Sequence, residues 1–183
     1  MTIEIKLYTS QDLLNLSSSS KLYELVKGEL REISPAGRKH GKIDTTLTSH
    51  LFQFVSQNKL GEVYGPDTGF IIETDSDTVR SPDVSFVAGS RLVGVGEDGF
   101  LPFAPDLAVE VMSPSDRMSE VEDKIEQYQN TGVRLVWVIN PRRKIVQIYH
   151  PNDPKPQILG LEDELDGEDV IAGFKLSVKI LFD

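Results

Sequence analysis

The chain contains no cysteine, which removes disulfides, thiolate metal ligation and a cysteine nucleophile from consideration. It has a single tryptophan, and aromatics make up only 8% of its residues, a thin supply for the aromatic platforms on which sugars are often bound. No stretch approaches the ~20 apolar residues of a membrane span. Residues 1–14 have no basic segment leading into an apolar run, so no secretory signal is expected. A soluble, cytoplasmic protein follows as the expectation. Positive charge is also in short supply: 19 Lys plus Arg against 29 Asp plus Glu give a net charge of −10. That balance counts against nucleic acid as a partner, because such binding draws much of its affinity from neutralising phosphates. Net charge is an average, however, and much of the acid lies in 75–77 and 162–169. This leaves room for a local basic surface elsewhere, and a bound cation would offset acid inside a site.

What the chain does have is enough length and apolar content for a core. Its 183 residues, 39% hydrophobic and 26% charged, suit one globular domain spanning 1–183. Residues 10–16 read as a short helix, followed by a polar linker at 17–20. Segments 23–26 and 30–33 alternate around Lys27-Gly28 and predict a hairpin. Residues 39–58 form the clearest helix, with Ile43, Leu47, Leu51 and Phe54 or Val55 at helical spacing and Gly61 as its stop. Residues 62–87 are strand-rich, with turns at Pro66-Asp67 and 75–77. Gly89, Gly94, Gly96 and Gly99 mark a surface loop. A strand is expected over 106–112, then an amphipathic helix over 119–130 opened by a Ser119/Glu122 capping box and stopped by Gly132. The nearly continuous apolar run 133–139 predicts a central strand buried on both faces. A strand over 144–149 and several shorter ones complete the chain. The order predicts an α/β sandwich around a mixed sheet.

Three residues carry chemistry. On a strand over 106–112, Leu107, Val109 and Val111 share one face, while Ala108, Glu110 and Met112 share the other. Glu110 is therefore an acid in the middle of an apolar strand, where it must be paired, protonated or bound to a cation. Asp83, after Ser81-Pro82, lies on a separate strand-rich segment, and strand pairing would bring it beside Glu110. Pro66-Asp67 and Pro105-Asp106 repeat the dipeptide but read as turn chemistry. Two adjacent carboxylates repel unless a cation sits between them, and oxygen donors of this kind suit Mg²⁺, which keeps several waters. Lys124 lies on the shoulder of the apolar stripe Val121, Ile125 and Tyr128. A solvated charge is the ordinary reading of such a lysine, but a helix packed over the sheet would lean it toward Glu110, where an ammonium can orient a water or neutralise a phosphate. Between them, Ser113-Pro-Ser-Asp116 reads as a strand-to-helix turn at the rim.

These pieces together resemble the PD-(D/E)XK nuclease superfamily, and within it a bacterial branch of putative restriction endonucleases once catalogued as a domain of unknown function. The matching stretches, in order, are Tyr23-Glu-Leu-Val-Lys-Gly-Glu-Leu30, His40-Gly41, Ser81-Pro-Asp-Val84, Pro105-Asp-Leu-Ala-Val-Glu-Val-Met-Ser-Pro-Ser-Asp116, Lys124, Tyr128, 132–141 and Gly173-Phe174. The resemblance implies a restriction-endonuclease-like core, a mixed β-sheet flanked by helices with additional β-hairpins. It implies a metal-dependent DNA endonuclease that hydrolyses phosphodiester bonds, with Asp83 and Glu110 holding Mg²⁺ (or Mn²⁺) and Lys124 orienting the attacking water. The superfamily places its lysine at the next residue but one after the second acid; here that residue is Met112, and Lys124 matches the lysine that this branch carries on the following helix. Glu29 stands where an accessory acid is often found, and His40 matches the branch's His-Gly, in contact with phosphate or assisting proton transfer. Two-strand cutting favours a homodimer, for which apolar segments near the C-terminus offer an interface. Two other readings exist: a non-catalytic nuclease-fold module binding nucleic acid or protein, consistent with the acidic charge, and a paired-carboxylate glycosidase, which has no use for Lys124.

Overall fold

The computed structural model of the protein describes residues 6–16, 21–75, 77–114, 116–153 and 155–183; the expected linker 17–20 lies outside them. Among these residues three helices and twelve strands are formed: α1 Ser10–Leu16, β1 Leu22–Val26, β2 Glu29–Ile33, α2 Arg38–Asn58, β3 Gly61–Tyr64, β4 Phe70–Glu73, β5 Thr78–Arg80, β6 Val84–Ala88, β7 Leu107–Val111, α3 Met118–Asn130, β8 Leu135–Asn140, β9 Ile145–Tyr149, β10 Gln157–Leu159, β11 Glu164–Asp166 and β12 Lys175–Ser177. Short 3₁₀ turns follow β6 and β12.

The central sheet has six strands in the order β10-β9-β8-β7-β6-β3. It is mixed, because β7 and β8 are parallel while β6 runs antiparallel to β7 and β9 to β8. Parallel neighbours need a crossover, and α3 supplies it. The five apolar residues that open β8 are all buried, as a strand covered on both faces requires.

The alternation of side chains along β7 divides the core in two. Leu107, Val109 and Val111 face α2, whose Ile43, Leu47, Leu51 and Val55 recur every fourth residue along one stripe. Ala108 faces α3, against Val121, Ile125 and Tyr128. A second sheet, β2-β1-β5-β4, packs with α1 through Leu13, Leu25 and Val79. Between them these sheets make the mixed sheet, flanking helices and added hairpin expected from the sequence.

Three local expectations are corrected. Helix α2 is ended by Lys59, in left-handed conformation at φ 54, and not by Gly61, which instead opens β3 at φ 156 against β6. Helix α3 starts before Ser119: the N–H groups of Glu120 and Val121 both donate to the Arg117 carbonyl, so the hydrogen-bond ladder begins there and no side chain caps it. Most apolar residues of the C-terminal segments are not free for a dimer interface, Ile158 and Ile180 being the exposed ones. Leu165, Ile171, Phe174, Leu176, Val178 and Leu181 are buried on the α2 side of the central sheet, because that face would otherwise be only partly covered.

Candidate active site

Strand register sets the two acids side by side. Val84 on β6 pairs with Val109 on β7, which brings Asp83, immediately before β6, level with Glu110. Asp83 Oδ2 accepts the Val111 N–H at 2.6 Å, a bond across the same strand pair. Glu110 shares the face of Ala108, so it points under α3, where it is only 9% exposed.

Helix α3 then answers the buried charge. Lys124 Nζ donates to Glu110 Oε2 at 3.1 Å, and the Tyr128 hydroxyl donates to Oε1 at 2.7 Å. The two donors are four residues apart, one turn of helix on one face. The shoulder lysine thus does lean over the sheet. Burial pushes the Glu110 carboxyl up to about 7 despite the pull of Lys124, and repulsion from Asp83 and Glu24 acts in the same direction as burial. Burial alone would lower Lys124, but Glu110 and Glu24 outweigh it and hold the amine above its ordinary value. Lys124 is therefore a fixed cation rather than a base.

Glu24 is the acid the sequence did not single out. It lies on β1, 4% exposed, and joins the site from the second sheet. Lys124 Nζ lies 3.4 Å from its Oε1, Arg80 Nη1 donates to its Oε2 at 2.8 Å, and the Ser81 N–H donates to Oε1 at 3.0 Å. Arg80 Nε donates in turn to Gln127 Oε1 on α3 at 2.8 Å. Burial, which opposes ionisation, is overcome by Lys124 and Arg80, so Glu24 lies below the usual carboxylate range. The network couples the residues just before Asp83 to the helix that carries Lys124. Its one local signal is a glutamate next to Leu25 in a strand otherwise apolar on that side; its partner Arg80 is too distant in the chain to infer.

His40 reaches the site over the end of the sheet. Its Nε2 lies 3.1 Å from Asp83 Oδ2, and this hydrogen bond, against partial desolvation, raises the imidazole above its ordinary value. Asp44, one turn further along α2, is raised by burial and by the charge of Asp83. Glu29 is not gathered with the others. It stands exposed on β2 and pairs with Arg31 at 3.1 Å. The remaining Pro-Asp pairs are structural: Asp67 takes a positive φ in a turn, while Asp106 accepts the Ala88 N–H and pairs with Arg91. Asp116 closes the rim turn by accepting the Ser113 N–H at 2.7 Å, and lines a depression of about 110 Å³ beside Glu110 and Lys124.

Among the described residues, no group of three or more histidine or carboxylate side chains forms a ready cage for a metal ion. Two adjacent carboxylates, with Glu110 driven toward its neutral form by burial and repulsion, form a different kind of donor set. Oxygen donors of this kind are the type that a hard divalent cation retaining most of its water takes.

With the geometry in place, residues 10–179 match the family described as Uma2, putative restriction endonuclease. The chain belongs to this family. The Uma2 match spans nearly the whole fold, from α1 through the turn after β12. The chain is also similar to a crystal structure described as a putative nuclease belonging to DUF820 from Anabaena variabilis ATCC 29413, with a TM-score of 0.80 over 95% of this chain and 97% of that one. The two are 22% identical, so this likeness establishes the nuclease fold. No curated protein matches the chain.

Proposed function

We propose that this Uma2 protein is a metal-dependent DNA endonuclease. The observation that carries the reading is the convergence of Asp83, Glu110 and Lys124 from three separate elements: Lys124 donates to Glu110, and Asp83 lies level with Glu110 on the paired strand, bonded to the adjoining Val111 N–H. A glycosidase needs only two acids, and a module that merely binds has no need of a cation held against a buried carboxylate.

Asp83 and Glu110 would hold Mg²⁺ or Mn²⁺. Such an ion, when bound, lowers the pKa of water and polarises a phosphoryl oxygen. Lys124, kept protonated by Glu110 and Glu24, orients the attacking water and counters negative charge developing on the phosphoryl group. Tyr128 fixes the rotamer of Glu110 through its 2.7 Å bond. His40, on the Asp83 side, is placed to meet the phosphate or to carry a proton. Glu24, itself fixed by Arg80, holds the lysine in place from behind. Cutting both strands of a duplex would call for two copies related by a two-fold axis, which sedimentation velocity with and without duplex DNA would reveal.

The test is cleavage of plasmid DNA with Mg²⁺ or Mn²⁺ by the native chain beside Asp83→Ala, Glu110→Ala and Lys124→Ala. Each variant is expected to lose at least about 100-fold in rate, the scale of removing one preorganised charge-stabilising group. Equal background cutting by all four proteins would sink the proposal. Calorimetric titration with Mg²⁺ adds an independent reading: heat of binding lost in Glu110→Ala.

A further inference from the structure

An acidic chain acting on DNA must still neutralise phosphates somewhere. Two short basic segments meet at the end of the central sheet that carries the carboxylates. One is the first turn of α2, Arg38-Lys39-His40-Gly41-Lys42; the other is the turn between β8 and β9, Pro141-Arg142-Arg143-Lys144. They are tied together by Lys39 Nζ, which donates to the Pro141 carbonyl at 2.6 Å. The second segment leaves β8 just past Ile139, which pairs with Val111 and accepts the Met112 N–H at 2.9 Å. It thus begins beside the end of the strand that carries Glu110. The first segment contains His40, in contact with Asp83.

Arg38, Lys42, Arg142, Arg143 and Lys144 are all exposed, and among the described residues none is paired with a carboxylate. By contrast Arg31, Arg80, Arg91, Lys124, Arg134 and Lys175 each sit against an acid. Gly41 keeps the helix surface beside His40 open, since apart from its chain neighbours and the helix backbone nothing lies within 4 Å of where its side chain would be. A further approach to the site, apart from the small depression beside Glu110, is a cleft of about 600 Å³ between the β1–β2 hairpin and α3. Glu24, Glu32, Glu73, Glu120, Asp123 and Glu126 line it, and most of its cations are already paired, so a phosphate chain entering there meets negative charge.

We infer that the α2 first turn and the β8–β9 turn together form the docking surface for the phosphodiester backbone of duplex DNA, flanking the phosphate presented to Asp83 and Glu110. The inference rests on the proposed DNA-cleaving role for the identity of the substrate. Strongly salt-dependent binding should follow, because each phosphate neutralised releases condensed counterions.

The experiment is fluorescence anisotropy of the full chain with a labelled DNA duplex in EDTA, across a salt series, so that binding is read without cleavage. Arg142→Gln/Arg143→Gln/Lys144→Gln and Arg38→Gln/Lys42→Gln are compared with Lys27→Gln/Arg31→Gln in the acidic cleft; circular dichroism checks folding. The triple variant should bind at least about 10-fold more weakly at low salt and show a log–log salt slope shallower by about 2 to 3, roughly one per lost phosphate contact. The double variant on α2 should weaken binding in the same way, and the cleft variant should match the native chain. Native affinity in the triple variant, a larger loss in the cleft variant, no duplex binding by the native chain, or tighter binding to an RNA duplex would each overturn the inference. The cleavage proposal can fail separately: a chain that docks DNA through these turns yet never cuts it refutes the nuclease reading alone, whereas native cutting by the triple variant refutes the docking surface alone.

Discussion

Glu110 concentrates the electrostatic tension of the site. Burial raises it to about 7 from an ordinary 4.5, in spite of Lys124. Since the folded state holds this proton more tightly than the unfolded chain, the stability contributed by Glu110 is complete below about pH 4.5 and is lost as pH rises through about 7. His40, raised through its bond to Asp83, acts with the same sign, above its ordinary 6.5. Glu24 has the opposite sign but is lowered, so its effect falls below that window. The metal-free protein should therefore melt at a lower temperature near pH 8 than near pH 6, with Glu110 costing it about 1 kcal/mol of stability between those two pH values. Scanning calorimetry in EDTA checks this, and Glu110→Gln should flatten the profile; an unchanged slope in that variant would contradict the assignment. At this scale the sequence revealed an acid out of place on an apolar strand and pointed to Lys124 beside it, but not to the Tyr128 hydroxyl or to Glu24. Glu24 and Glu29 lie on the same face of one hairpin and differ in that β1 is interior to its sheet while β2 is at the edge; the groups that cover Glu24, Arg80 and Lys124, come from distant segments.

At the scale of elements, periodicity was a dependable guide wherever one face of a segment is buried along its whole length. Helix α2 and strands β7 and β8 appear where the apolar spacing places them, because a stripe of Ile43, Leu47, Leu51 and Val55 or an alternating β7 leaves few ways to hide its apolar surface. Boundaries were harder to read, since they depend on local backbone bonds. Lys59 ends α2 in the left-handed region, and Gly61, the residue expected to do so, is needed instead for close packing against β6, where a Cβ would lie 2.0 Å from the Val87 carbonyl oxygen. Two substitutions separate these roles. Lys59→Gly removes a strained side-chain-bearing residue and should raise stability by up to about 1 kcal/mol. Gly61→Ala should lower it by more than about 1 kcal/mol, with backbone strain added to the clash. Urea denaturation of both variants decides the matter, and the opposite order would show that Gly61 is the true helix stop.

For the molecule as a whole, the C-terminal segment is part of the fold's foundation. Leu165, Ile171, Phe174, Leu176, Val178 and Leu181 complete the core on the α2 face. At roughly 1.5–3 kcal/mol for each fully buried apolar side chain, their combined burial is comparable with the ~5–15 kcal/mol by which a domain is stable. A chain truncated after Gly160 is expected to lose cooperative thermal unfolding and its near-ultraviolet circular dichroism; retention of both would mean that the nuclease core stands without this layer. The same whole-molecule view reconciles an acidic average with the proposed DNA substrate, because charge is unevenly distributed: a group of unpaired cations lies at one end of the sheet, and acids collect in the hairpin cleft.

The sequence alone determined which segments bury which faces, because apolar periodicity commits a helix or strand to one orientation, and it marked Asp83, Glu110 and Lys124 by residue type and order. Only the tertiary structure decided which of two hairpin glutamates joins the site, how far His40 reaches over the sheet end, and where the C-terminal apolar residues go. Those outcomes depend on contacts between segments far apart in the chain, where strand register and helix packing fix geometry within ångströms and no local pattern of residues records the distance.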